Sequence, residues 1–188
     1  MGYETQRLYL TLSTPALARP VTAFYRRNRT FLRPFEPRRD EEFFTVKAQK
    51  RCLTQEAKMA RRDECYRFYL SRKEEPARVI GMVGLNSVVR GAFQSSFVGY
   101  KMDQRYLCQG YMTEALRRLV DIAFHDLLLH RLEANIMPRN IPSLRVAEKV
   151  GFRSEGLSPR YLQVDGVWED HLHMVLLNER EPEYTDVP

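Results

Sequence analysis

Cysteine is scarce in this chain: the three present, Cys52, Cys65 and Cys108, include no C-x-x-C pair. An odd number without paired spacing excludes a disulfide-stapled scaffold and offers no Cys-based zinc site, and it fits a reducing, cytoplasmic setting. No apolar run reaches the roughly 18 residues that span a bilayer. Met1 to Leu12 alternates like a strand, where a secretion signal would place a charged segment and an apolar core. The expectation is a chain that neither spans nor crosses a membrane. No Gly-Lys-Ser/Thr closes a P-loop. Histidine is sparse too, and His125, His130, His171 and His173 have no carboxylate or cysteine converging with them in sequence, so no metal site is expected.

What is present suffices for one domain. With 188 residues, 44% of them hydrophobic, the chain can bury roughly 70% of its unfolded surface around one core. The domain is expected over residues 1–178, with 179–188 an acidic, loose tail. The net charge of +6 is uneven: residues 1–90 carry 19 Lys/Arg against 10 Asp/Glu, and residues 91–188 carry 11 against 14. An Arg-rich stretch (Arg26, Arg27, Arg29, Arg33, Arg38, Arg39) suits an anionic partner such as RNA, a ribosome surface or a phosphorylated cofactor. A solvated helix face and loop is the alternative.

Hydrophobic periodicity places the elements. Gln6 to Ser13 alternates with Leu8, Leu10 and Leu12 on one side, as a half-buried strand does. Pro15 to Asn28 and Asp40 to Ser71 read as helical, separated by a turn at Pro34 to Pro37. Arg78 to Val89 and Gln94 to Met102 read as an antiparallel pair joined near Gly91. From Gly110 to His125 the apolar residues Met112, Ala115, Leu116, Leu119 and Ile122 follow helical spacing. Arg131 to Met137 reads as a strand and Ile141 to Val150 as a helix with Gly151 as its stop. Tyr161 to Val164 and Val167 to Leu177 complete the order β-α-α-β-β-α-β-α-β-β. That order predicts an α/β sheet of mixed direction.

Two junctions carry candidate chemistry. A strand ending near Met102 runs through Cys108-Gln109-Gly110 into the strongest helix, so free backbone N–H groups and a positive dipole end face an anion. Asn140-Ile141-Pro142-Ser143 opens the next helix, and capping alone explains it.

Together the junctions resemble the GCN5-related N-acetyltransferase (GNAT) superfamily, and more closely its RimJ/RimL branch, nearest the RimJ side. The resemblance runs over nearly the whole chain through Thr5-Gln6-Arg7-Leu8, Gly81 to Leu85, Gly99-Tyr100, Gln109 to Leu116, Arg131 to Asn135, Asn140, Ser143, Glu148 to Phe152 and Asp165 to Trp168, with Ala134 to Pro138, Tyr161 to Gly166 and Asp170-His171 on the RimJ side. It implies a single-domain fold with a mostly antiparallel sheet splayed between its fourth and fifth strands and helices on both faces. Acetyl-CoA would lie in the gap, with Tyr100, Lys101 and Met102 pairing to it through their backbone. Gln109, Gly110, Tyr111, Met112 and Thr113 would cradle the pyrophosphate, and Asn140 would bind the pantetheine arm. Ser143 would also touch the cofactor and protonate the leaving thiolate. Two positions depart from the family pattern, Leu107 and Met112, and Cys108 stands where glycine is usual; packing is the role expected of its thiol.

Direct transfer to an amine needs an oxyanion site, here implied to be backbone N–H groups near Tyr100 to Met102, and a base. The RimL-type glutamate aligns with Leu162, which takes no proton. Glu133 is the candidate base, with Glu155 or a water relay as alternatives and a structural salt bridge as the other reading of each glutamate. An α-amine of pKa about 7.8 is roughly a quarter neutral at pH 7.4, against ~0.1% for a lysine near 10.4, so a weak base suits an N-terminal acceptor. The resemblance therefore implies acetylation of a protein N-terminus, a ribosomal protein with Ala or Ser first, with RNA proximity through the basic half. A small-amine acetyltransferase is the alternative, and an RNA- or ribosome-binding module with weak catalysis is a further one. Monomer and homodimer both remain open.

Overall fold

The computed structural model describes residues 2–179; most of the tail expected over 179–188 lies outside the described residues. Eight strands build one sheet: β1 (Gly2–Glu4), β2 (Leu8–Leu12), β3 (Cys65–Arg72), β4 (Glu75–Val89), β5 (Ser95–Met102), β6 (Arg131–Ile136), β7 (Arg153–Val164) and β8 (Val167–Leu177). The order across the sheet is β1-β2-β3-β4-β5-β6-β8-β7. Every neighbouring pair is antiparallel except β5 and β6. That one parallel pair requires a crossover, and α4 (Tyr111–Asp121) supplies it.

Helices cover both faces, because alternate residues of the central strands are apolar on each. Phe68 and Leu70 of β3 point into a core with Leu116 and Leu119 of α4, while Tyr69 between them joins Phe24 of α1 (Ala18–Arg27) and Leu53 of α3 (Val46–Arg61) on the other face. Each fully buried Leu or Phe of this kind contributes roughly 1.5–3 kcal/mol. A short α2 (Arg29–Leu32) follows α1, and α5 (Ile141–Val150) lies beside α4. Gly151, at φ +110°, ends α5 in the left-handed conformation, and Phe152 then enters the core at 3% exposure. No described helix is long and apolar enough to cross a membrane.

Two expectations need correction. Asp40 to Ser71 is not one helical stretch: α3 stops at Arg61, and Asp63 turns the chain at φ +59° into β3. The stop was hidden because it uses Asp, which tolerates left-handed geometry through its short polar side chain, instead of Gly. β7 begins at Arg153 and not at Tyr161, because Arg153 to Leu157 is an exposed edge segment with no buried alternation. The expected splay is present: it falls between β5 and β6, the fourth and fifth strands once the three-residue β1 is left out of the count.

Candidate active site

β5 and β6 pair over Ser95↔Arg131, Ser96↔Leu132 and Phe97↔Glu133 only. Past Phe97 the strands separate, and a cleft of about 520 Å³ opens between Val98–Met102 on one side and Ala134–Met137 on the other. It passes between the two helical layers, so it has two dissimilar halves.

The first half faces α4 and α5. Tyr100, Met102, Met112, Asn140 and Ser143 line the cleft, as does Leu107 at its edge. The Tyr100 hydroxyl donates to the Ser143 carbonyl at 2.8 Å, and burial pushes its phenol up to about 12, so it stays a neutral donor. Asn140 caps α5 by accepting from the Ser143 N–H at 3.4 Å. Gly110 precedes α4 at φ +80° with no side-chain cap, leaving first-turn N–H groups free at the positive end of the helix.

That helix start is pinned from outside the cleft. Glu114 accepts from Thr5 Oγ1 at 2.5 Å and from Arg7 N and Nε at 2.8 and 2.7 Å. Burial acts to raise its carboxyl, and the Thr5 and Arg7 hydrogen bonds outweigh it, so the group sits below its ordinary range. Arg7 Nη1 also donates to the Gln109 carbonyl at 3.0 Å, and its guanidinium lies 4.3 Å from the Tyr111 ring centroid.

The junction residues therefore divide. Gly110 and Thr113 border a separate groove shared with Arg7 and Glu114. Gln109 turns its amide back to the Arg105 carbonyl, and Tyr111 is buried against Tyr106, so neither side chain lines the cleft. Cys108 is exposed and held at φ +57°. Its expected packing role is overturned: the glycine usual in the family at this position relieves the left-handed backbone, and the cysteine side chain points to solvent.

The second half faces α1, α2 and the segment after them. Lys101, on the opposite side of β5 from Tyr100, is ion-paired with buried Glu36. Burial acts to lower the lysine, and the neighbouring Tyr25 and Glu36 outweigh it, so it remains charged. Glu56 of α3 accepts from Arg67 Nη1 at 2.6 Å, Ser13 Oγ at 2.7 Å and the Tyr69 hydroxyl at 3.2 Å. Phe31, Phe35 and Phe43 form the apolar part of this wall. From the far edge of the gap, Asn135 and His171 reach the cleft. Asn135 Nδ2 donates to the Tyr161 hydroxyl at 3.4 Å, while its Oδ1 is buried without a partner among the described residues.

Glu133 does not line the cleft. Its Oε1 lies 2.8 Å from His173 Nδ1 and its Oε2 3.2 Å from Arg131 Nη2, and these hydrogen bonds outweigh burial to hold the carboxyl below its ordinary range. Arg131 also forks onto Glu155. Both glutamates thus occupy the salt-bridge alternative. In the Arg-rich stretch Arg27 reaches inward to buried Asp103 at 2.5 Å, while Arg29 with Glu41 and Arg33 with Asp165 at 2.9 Å form exposed pairs and Arg26 donates to the Phe44 carbonyl.

Sequence reasoning missed Glu36, Glu56 and His171 as cleft residues. Only for His171 was there a local signal, its position in the alternating Val167 to Leu177 run.

An unpaired strand edge suits an extended ligand, and an uncapped helix start suits its phosphates. The family model described as acetyltransferase (GNAT) domain matches residues 7–153. The chain is 42% identical over 151 residues to Probable N-acetyltransferase YjcK of Bacillus subtilis (strain 168), covering 80% of this chain and 83% of that one. It is 32% identical over 168 residues to the [ribosomal protein uS5]-alanine N-acetyltransferase of Escherichia coli (strain K12), covering 89% and 86%. Among solved structures, the ribosomal-protein-S5-alanine acetyltransferase from Vibrio fischeri superposes with a TM-score of 0.91 at 31% identity, covering 96% and 98%. Mycobacterium smegmatis RimJ in complex with CoA-disulfide follows at 0.87 and 30%, covering 94% and 84%. The split sheet, the family match and these relatives agree: the chain belongs to the GNAT acetyltransferase family, is of the RimJ type, and is an acetyl-CoA-dependent N-acetyltransferase.

Proposed function

We propose that the enzyme acetylates the N-terminal α-amino group of a protein, a ribosomal-protein-like chain beginning with Ala or Ser. The observation that carries this reading is the state of the cleft carboxylates. Glu36 is tied to Lys101 and Glu56 to Arg67, so neither presents a free anion to a polycation. An aminoglycoside or polyamine would favour an acidic groove, and a lysine amine needs a strong base. An α-amine, already partly neutral near pH 7.4, needs neither. Two relatives whose names specify a ribosomal-protein alanine as acceptor support the same class.

In this reading the edge of β5 from Tyr100 to Met102 that β6 leaves unpaired holds the thioester arm, and an N–H on that edge faces the developing oxyanion. The free N–H groups after Gly110 receive the phosphates, Asn140 holds the arm, and Ser143 gives its hydroxyl proton to the departing thiolate. The aromatic wall of Phe31 and Phe35 receives the first residues of the acceptor.

The test is thiol release from acetyl-CoA with peptides beginning with Ala, Ser, Met or Gly, a blocked peptide with one internal lysine, spermidine and an aminoglycoside. Turnover on free Ala or Ser termini and none on the blocked lysine peptide is expected. Turnover on small amines alone overturns the reading. Ser143→Ala should lower kcat about a hundredfold while leaving acetyl-CoA affinity nearly unchanged; an unaltered kcat returns Ser143 to a helix-start role.

A further inference from the structure

The cleft contains two carboxylates and one imidazole. Both carboxylates are held by cations, Glu36 by Lys101 and Glu56 by Arg67. The imidazole is His171, 3% exposed on β8. Its Nδ1 lies 2.9 Å from the Glu169 carbonyl, which can only accept, so Nδ1 carries the hydrogen. The lone pair of the neutral ring therefore sits on Nε2, which has no partner among the described residues. Beside it on β6, Asn135 leaves its buried Oδ1 unsatisfied in the same cleft. A buried amide oxygen without a donor is costly, and a ligand N–H removes that cost.

We propose that His171 Nε2 is the base that accepts the proton from the acceptor amine, and that Asn135 Oδ1 accepts a hydrogen bond from that amine and positions it. The assignment rests on the acetyl-transfer reading above and names the base that Leu162 cannot be. As the C–N bond forms, the amine nitrogen becomes positive and passes one proton to Nε2. The C–S bond breaks, and the thiolate takes a proton from the Ser143 hydroxyl. Solvent carries the proton from His171 back to Ser143, so the net reaction is amine plus thioester to amide plus thiol.

Groups from three sides surround the His171 ring. From β7 the Tyr161 ring lies 5.8 Å away, and from β6 comes the Asn135 amide. Across the cleft stand Tyr25, Arg39 and the Glu36–Lys101 pair, and Arg139 occupies Glu169, two residues before His171, at 2.7 Å. No free carboxylate stands among these to occupy Nε2. His173, two residues on, makes the contrast: Glu133 and Ser158 take its two nitrogens at 2.8 and 2.7 Å.

The experiment compares wild type, His171→Gln, Asn135→Ala and His173→Gln on an Ala-terminated peptide from pH 6 to 9, together with acetyl-CoA binding by calorimetry and thermal melting. His171→Gln should lose about a hundredfold in kcat near pH 7 and still bind acetyl-CoA as wild type does. Its kcat should keep climbing with pH as hydroxide takes the place of the missing base, where the wild-type profile levels off. Asn135→Ala should raise the peptide KM more than it lowers kcat, and His173→Gln should hold kcat within about threefold. A folded, acetyl-CoA-binding His171→Gln enzyme with wild-type kcat and pH profile overturns the assignment while leaving the N-terminal reading intact. Should His171→Gln fail to melt cooperatively, an unchanged peptide KM in Asn135→Ala is the overturning result. A wild type silent on every α-amine overturns that reading and this assignment together.

Discussion

The two halves of the cleft are built by different means. On the α4 and α5 side the working groups are backbone: the inner edge of β5 and the uncapped start of α4, with few side chains added. On the α1 and α2 side they are charged side chains from distant segments, held in place by one another: Glu36 with Lys101, and Glu56 with Arg67, Ser13 and Tyr69. A backbone site tolerates substitution of most side chains and fails when the backbone is bent. A side-chain network fails when one charge is removed, because the partner is left without compensation.

The sharpest way to break this contrast is Glu56→Ala. Its carboxylate satisfies three groups, and its loss leaves Arg67 without its anion, although that guanidinium is 37% exposed and partly rescued by water. A loss of about 2–4 kcal/mol in unfolding free energy is expected, read by denaturant titration. Acetyl-CoA affinity, measured per folded molecule, should stay the same. A parallel fall in that affinity would show that the halves are one mechanical unit.

The complementary break is Gly110→Val. At φ +80° a β-branched residue is strained, so the chain before α4 must rotate and carry its N–H groups away. Acetyl-CoA binding should weaken by about 1–2 kcal/mol, close to tenfold, in calorimetry. Peptide KM should change little.

The same contrast explains what could be read in advance. Backbone features leave local marks: a helical period from Met112 onward, a glycine before it, and Asn140-Ile141-Pro142 at the next helix start all lie where the structure uses them. The Glu36–Lys101 pair leaves none, since 65 residues separate its members and each alone looks like a surface charge. Glu133 shows the reverse error. It sits beside Asn135 in the chain and on the same face of β6, yet Arg131 and His173 claim it before any substrate could. The boundary of β3 is hidden for a related reason: Phe68 and Leu70, two apart, fit a strand, but no Gly or Pro marks the turn at Asp63 that separates them from α3.

A smaller effect probes the seam between backbone and side chain, where Glu114 ties α4 to the chain before β2. Its carboxyl is held below its ordinary value, so the native state binds that proton less readily than the unfolded chain. Its contribution is fully present above the unfolded value of about 4.5 and fades as pH falls through the folded value. Glu114→Gln should cost about 1 kcal/mol at pH 7. The melting difference from wild type should shrink steadily below about pH 4.5. A difference independent of pH would mean that Thr5 and Arg7 bind the protonated acid as well as the carboxylate.

The smallest effect lies in the loop that feeds the backbone half. Cys108 occupies left-handed geometry with its side chain in solvent, so it gains nothing from packing and bears the local strain of a side chain at φ +57°. Cys108→Gly removes that strain, roughly 1 kcal/mol, against the greater freedom glycine has in the unfolded chain. The net stabilisation should be about 0.5 kcal/mol, visible as a rise of one or two degrees in Tm. Since Arg7 already fixes the next carbonyl, at Gln109, the loop should not loosen, and acetyl-CoA affinity should hold or improve slightly. A Cys108→Gly enzyme that is less stable and binds acetyl-CoA more weakly would show that this side chain, alone in an otherwise backbone-built half, contributes a contact of its own.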